Sequence, residues 1–413
     1  KSPVGDRRIP VMTATALPDA SGTSASSAFI HRWLVVTVSL SSSLALSLSG
    51  TITNVAVPDI MGAFGVGQDQ AQWMATAFFA AMTAAMLLSD WLTRTFGMRT
   101  VFIFMMTVFF AGSIAGGTAQ SYSVVVLGRA VQGFAAGAIL PLTMMAMFGV
   151  FPPERRAMVA GLFGISFIMG PGLGPWFGGM AIDAFDWRFT FYVALPVAFV
   201  SIMLASTVFP GRDRNAIQSR LDWFGFLLVA IFLTAILTGL SNGQLKGWNS
   251  NFVVANLCVG FGAVLGFIFW ELRATDPIFN VRLLRNSKFA FACLASFLVG
   301  ITMFGSFYLQ PVFVQIVQNY TPLRAGLVLV PGGLAMGLLL PIAGRLADRY
   351  PPSLVLASGF LLFAISTWLM GFTDANTAFW TFAWLVVLGR LGQGLLFPPV
   401  TKAGLAAAPP EQM

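Results

Sequence analysis

Apolar runs of about twenty residues recur along almost the whole chain, and this recurrence restricts the fold more than any other feature. The windows lie at 32–57, 71–91, 99–118, 122–148, 157–182, 189–209, 221–241, 251–271, 289–317, 323–344, 353–372 and 377–401. A helix of that length crosses the hydrocarbon of a bilayer, where a backbone must satisfy its own hydrogen bonds. With 57% hydrophobic and 9% charged residues in 413, the chain is expected to be an all-α polytopic membrane protein of twelve spans. No sizeable extramembrane domain fits between them. Residues 1–31, small and polar, read as a disordered N-terminal tail.

Composition also removes classes of chemistry. The single histidine is His31, and the two cysteines, Cys258 and Cys293, stand inside apolar runs, so His/Cys metal sites and histidine-based triads lack their parts. None of the four lysines follows a glycine, which excludes a Gly-Lys-Ser/Thr phosphate loop. We therefore expect no metal, no cofactor and no enzymatic activity. The net charge of +8 does not imply a nucleic-acid partner. Its arginines are scattered between apolar segments, and eighteen basic residues fall on the side of the N-terminal tail against three (Arg188, Lys246, Arg324) on the other. This bias predicts that both ends of the chain are cytoplasmic.

An internal repeat adds organisation. Val125-Val126-Leu127-Gly128-Arg129-Ala130-Val131-Gln132-Gly133 returns as Val386-Val387-Leu388-Gly389-Arg390-Leu391-Gly392-Gln393-Gly394, and Pro152-Pro153-Glu154 returns as Pro409-Pro410-Glu411. The expected layout is a six-helix bundle at 32–209, a two-helix insert with its loops at 210–288, and a second bundle at 289–413 showing four helices, two short of a full copy. Parallel halves of this kind are an architecture of secondary transporters.

Several segments then resemble the major facilitator superfamily, and within it the fourteen-helix drug:proton antiporter group (EmrB/QacA-like multidrug exporters). Gly128-Arg129-Ala130-Val131-Gln132-Gly133 is similar to the motif of the family's fourth helix. The stretch from Gly170 to Gly179, with Pro171, Gly174, Pro175 and Gly178, resembles the antiporter motif of the fifth, and Trp187-Arg188 follows as in the family. Gly344-Arg345-Leu346-Ala347-Asp348-Arg349 fits a gating-loop motif, and Thr51-Ile52-Thr53-Asn54-Val55-Ala56-Val57-Pro58 the first-helix motif. Two departures stand out. Ser49 occupies the place of the family's first-helix aspartate, and in the first-half loop Asp90 and Arg94 replace the motif's glycine and acid.

The resemblance implies a secondary active exporter of hydrophobic or amphiphilic compounds in a bacterial inner membrane, driven by protons and able to work with a periplasmic adaptor. Two alternatives stand beside it: an exporter of a specific anionic amphiphile such as a fatty acid, and a transport-inactive sensor or scaffold. The substrate and coupling candidates are Arg129, Gln132, Ser49, Thr51, Asn54 and Arg390. A cation midway along an apolar helix costs at least ~2.5 to 3.5 kcal/mol unless it faces water or a partner. Arg129 must therefore face a hydrated cavity, bond backbone carbonyls or meet a substrate anion. Gly170, Gly174 and Gly178 form a smooth ridge that admits a neighbouring helix. Asp90 and Arg94, four residues apart, are expected to pair.

Overall fold

The computed structural model describes residues 25–152, 155–212, 221–274 and 278–407. Among these, twelve helices are long and apolar enough to cross a membrane, as the windows predict. Most of them carry apolar residues all round, the mark of helices buried on every side or surrounded by lipid. Large side chains such as Phe291, Phe297, Leu338, Trp380 and Trp384 lie exposed on the outer faces, where a bilayer would cover them.

The first half comprises α1 (Ala25–Ile52), the short α2 (Val57–Phe64) and α3 (Gln68–Ala71), α4 (Trp73–Phe96), α5 (Met98–Gly117), α6 (Tyr122–Val150), α7 (Arg156–Ala184) and α8 (Leu195–Val208). The insert is α9 (Trp223–Lys246) and α10 (Asn251–Glu271). The second half holds α11 (Ser287–Ile316), α12 (Pro322–Arg349), α13 (Pro352–Met370) and α14 (Phe379–Ala407). Within the first half α4 and α5 pack on α6, and α1 on α7; within the second, α11, α12 and α13 pack on α14. The insert is a hairpin of α9 against α10 that touches the first half mainly through α4. Asp222 starts α9 by accepting from the Gly225 N–H at 2.9 Å, a capping bond that meets one otherwise free donor of the first turn.

Two boundaries differ from expectation. Residues 25–31, placed in the tail by their polarity, are helical and extend α1; a helix can run past the apolar zone because its hydrogen bonds are internal. The first window, read as continuous to residue 57, stops at Ile52. A turn follows, held by the bonds from Asn54 N to Thr51 O and from Ala56 N to Thr53 O, and Pro58 in the first turn of α2 begins a new helix. Residues 1–24, Ser219 and the repeated Pro-Pro-Glu, apart from Pro152, lie outside the described residues.

The halves meet along α7 and α12, which run antiparallel, and the contact rests on glycines. An added Cβ on Gly326 would lie 2.4 Å from Pro175 O, one on Gly179 2.4 Å from Pro322 O, and one on Gly172 2.9 Å from the Cα of Gly333. Towards the other end, a Cβ added to Gly161, Gly164 or Gly344 would meet no atom beyond its own helix within 4 Å. The seam is thus closed at the end carrying α2 and opens towards the start of α1.

Candidate functional site

Arg129 is completely buried, at 0% exposure, and its environment is built from neutral groups. Its Nη1 donates to Ser49 O at 2.9 Å and to Gln132 Oε1 at 2.9 Å; Nη2 donates to Gly50 O at 3.3 Å and Nε to Met74 O at 3.3 Å. The guanidinium also lies 4.2 Å from the centre of the Phe78 ring, a cation–π contact that strengthens when water is excluded. Gln132 is held in turn by donating to Ser113 Oγ at 2.8 Å. Of the three ways a buried cation can be accommodated, this nest uses bonding to carbonyls. Ser49 faces the arginine twice, through its carbonyl and through an Oγ 3.5 Å from Nη1, so the position of the family's aspartate does lie beside the cation.

The second half repeats the device. Arg390, 2% exposed, donates to Gln393 Oε1 at 2.8 Å, Ser306 Oγ at 3.1 Å and Gln310 Oε1 at 2.9 Å, and lies 3.8 Å from the centre of the Phe307 ring. In both nests the arginine and its glutamine stand three apart on one helix face. No carboxylate among the described residues pairs with either arginine; the ion pairs there are Asp90–Arg94 at 2.9 Å, Asp186–Arg188 at 2.8 Å and Asp348–Lys402 at 2.7 Å. All three are at helix ends. Asp90 and Arg94 pair as the spacing predicts, and Asp348 ties the end of α12, which also carries Gly344 and Arg349, to α14.

Between the nests lies a cavity of about 380 Å³. Its lining comes from Thr51 in the last turn of α1 and Asn54 in the turn that follows, from Gln72 at the start of α4 and Ala75, Thr76, Phe79, Ala80 and Thr83 along it, from Leu233 and Leu237 of α9, and from Phe304, Phe307 and Tyr308 of α11. Phe79 and Phe304 touch across the halves with ring centres 4.4 Å apart. Asn54 Nδ2 donates to Phe307 O at 3.1 Å, a second tie at the closed end. Thr51 and Asn54 therefore line the cavity, whereas Arg129, Gln132, Ser49 and Arg390 lie behind it, the last screened by Phe307.

The helix-5-type motif divides between two neighbours. Gly170, Gly174 and Gly178 press on α1, where an added Cβ would lie 2.7 Å from Leu48 N, 2.5 Å from Thr51 Oγ1 and 2.6 Å from Ile52 O respectively. Gly179 and Gly172 instead face α12. Pro171 and Pro175 stand inside α7, and the Pro175 carbonyl meets Gly326. Gly172 did not stand out in the sequence, because it falls off the four-residue spacing. Nor did Phe78, Gln310, Ser306 or Phe307, whose signal exists only once helices are packed. Glu271, the one buried acid among the described residues at 2% exposure, sits at the end of α10 beside the start of α9, away from both nests.

Ten apolar helices in two halves, with a two-helix insert beside them, enclose a cavity, the build of a membrane transporter of small molecules and not of an enzyme. The description "Major Facilitator Superfamily" matches residues 39–413, and the chain belongs to that family. Multidrug export protein EmrB of Escherichia coli (strain K12) is 27% identical over 383 residues, covering 92% of this chain and 75% of that protein. The uncharacterized MFS-type transporter YcnB of Bacillus subtilis (strain 168) is 31% identical over 383 residues, covering 92% and 80%. Among solved structures, the peptide transporter POT in complex with sulfate superposes with a TM-score of 0.68 at 14% identity, covering 92% of this chain and 83% of that one. The xylose transporter XylE from E. coli gives 0.61 at 14%, covering 91% and 87%. These likenesses establish the fold, and the multidrug-export relatives place the chain beside the drug:proton antiporters.

Proposed function

We propose that the protein is a secondary active exporter of hydrophobic or amphiphilic compounds in a bacterial inner membrane, with both ends of this chain cytoplasmic, working by alternating access and drawing on the proton gradient. The observation that carries this reading is the mainly apolar, phenylalanine-walled cavity between the halves, beside a seam whose glycines are tightly packed at the α2 end and lose their contacts towards the start of α1. In the expected orientation the looser end of the seam faces the cytoplasm. Multidrug export by relatives such as EmrB supports the direction and the substrate class.

Proton coupling takes a different form from one in which a first-helix acid pairs with Arg129, because Ser49 supplies only neutral oxygens. A second reading is favoured by that same feature. Two buried cations flank the cavity with no buried acid beside them among the described residues, so the field inside is positive and an anionic amphiphile is better accommodated than a lipophilic cation. Protein reconstituted in liposomes and loaded with a fluorescent lipophilic cation or with a fluorescent fatty acid distinguishes the readings. Flux of either probe that rises with an imposed pH gradient supports proton-coupled export; flux of neither under any gradient rejects transport, and flux of the fatty acid alone selects the second reading. An adaptor protein would engage the side carrying α2 and the turn between α9 and α10.

A further inference from the structure

The cavity has a wall that belongs to neither half. Leu233 and Leu237 of α9, four residues apart and so on one helix face, line it beside Phe79 and Phe304. The rest of α9 is committed elsewhere. Its Gly239 and Gly243 pack against Leu257 and Trp248 of the hairpin, and Phe224, Leu227 and Ile231 are exposed on the outer side. One helix, about 10 Å across, thus separates the cavity from the surroundings that a bilayer would fill.

The other apolar walls of the cavity are the rings of Phe79, Phe304 and Phe307. We propose that α9 of the insert is a specificity wall: Leu233 and Leu237 set the girth of the apolar body that fits against these rings. The ligand class is an amphiphile whose apolar frame fills the gap between α9 and the phenylalanines. The inference rests on the transporter reading above, and it assigns to the insert a part in ligand choice.

Binding of the neutral dye Nile red, an apolar ring system with one carbonyl, to the purified protein in detergent tests this without any gradient. Leu233→Trp and Leu237→Trp fill the cavity from a helix with an exposed outer face, so the fold should tolerate them. Each is expected to weaken dye binding by about tenfold, which corresponds to about 1.4 kcal/mol. Ile231→Trp, on the outer face of the same helix, should leave it unchanged. Equal binding by wild type, Leu233→Trp and Leu237→Trp overturns the wall and leaves the transporter reading standing. Wild-type protein that neither binds the dye nor moves any amphiphile in liposomes overturns both.

Discussion

Gly172 and Gly333 meet across the seam with no side chain between them: a Cβ added to either would lie within 2.9 Å of the other's Cα. Real Cβ atoms do not approach so closely, and the obstacle on each side is backbone, which cannot swing aside as a flexible side chain can.

Bulk at this crossing should therefore force α7 and α12 apart. Gly333→Leu and Gly326→Ala are expected to abolish transport at undiminished protein level, and to expose a cysteine placed at Asn54 to a membrane-impermeant maleimide. Gly164→Ala, at the looser end where the added Cβ would meet no atom of a neighbouring helix within 4 Å, should transport normally. Equal activity in all three would remove the seam from the mechanism.

Replacing Arg129 by alanine strips the donor from four buried oxygens, those of Ser49, Gly50, Met74 and Gln132. At about 1–3 kcal/mol for each group left unsatisfied, the loss should appear as a lowered melting temperature in detergent as well as lost efflux. Arg129→Lys keeps the charge but lacks the planar fork, and should recover part of both. An Arg129→Ala protein with wild-type melting would show that the nest contributes nothing to stability.

Ser49→Asp would set a carboxylate next to Arg129, where Ser49 Oγ is now 3.5 Å from Nη1. A titratable partner beside a buried cation should make transport depend more steeply on the pH gradient. The check is the ratio of flux with and without an uncoupler in liposomes; an unaltered ratio would show that coupling does not pass through this pair.

Asp59, on α2 outside the spans, keeps an exposed face, yet its carboxyl is held above its ordinary value of 3.8, first by partial desolvation and then by the neighbouring Asp183 and Asp186. A raised pKa in the folded state means that ionising Asp59 works against the fold: the liability is absent below pH 3.8 and grows as pH rises through the folded-state value. Asp59→Asn should then be more stable than wild type at pH 7, with the gain shrinking as pH falls towards 4. Thermal melts of the two proteins across that range give the answer, and a gain that grows on acidification would contradict the sign.

The asymmetry of basic residues predicts which side each loop occupies. In a protein whose Cys258 and Cys293 are replaced by serine, a cysteine at Asn249 should react with impermeant reagent in intact cells, and one at Ser353 only after permeabilisation. Both positions are exposed. The same side for both would overturn the alternation of spans between them.

Length and apolar composition made the spans legible, because a bilayer demands about the same run from every helix. The repeat pointed to both arginines and, through the three-residue spacing, to their glutamines. Their acceptors were not legible: Ser49 O, Gly50 O and Met74 O are backbone groups that any residue would offer, and Gln310 reaches Arg390 from eighty positions away. Gly172 escaped notice for a related reason. The four-residue ridge of Gly170, Gly174 and Gly178 serves α1 within the same half, while the inter-half contact uses glycines without regular spacing. The break after Ile52 was hidden because Thr53 to Val57 are as apolar on average as the helix before them.

Each arginine nest is contained within one half: Arg129 is held by α1, α4 and α6, and Arg390 by α11 and α14. In the alternating access proposed above, the halves tilt against each other as units and neither set of bonds has to break. The free energy of holding the two charges is then the same in every conformation and cancels from the equilibrium between them. What remains to tip that balance is the seam, the Asn54–Phe307 tie and whatever occupies the cavity, so the resting ratio of the two access states is adjustable by small residues at one interface without disturbing the charged interior of either half.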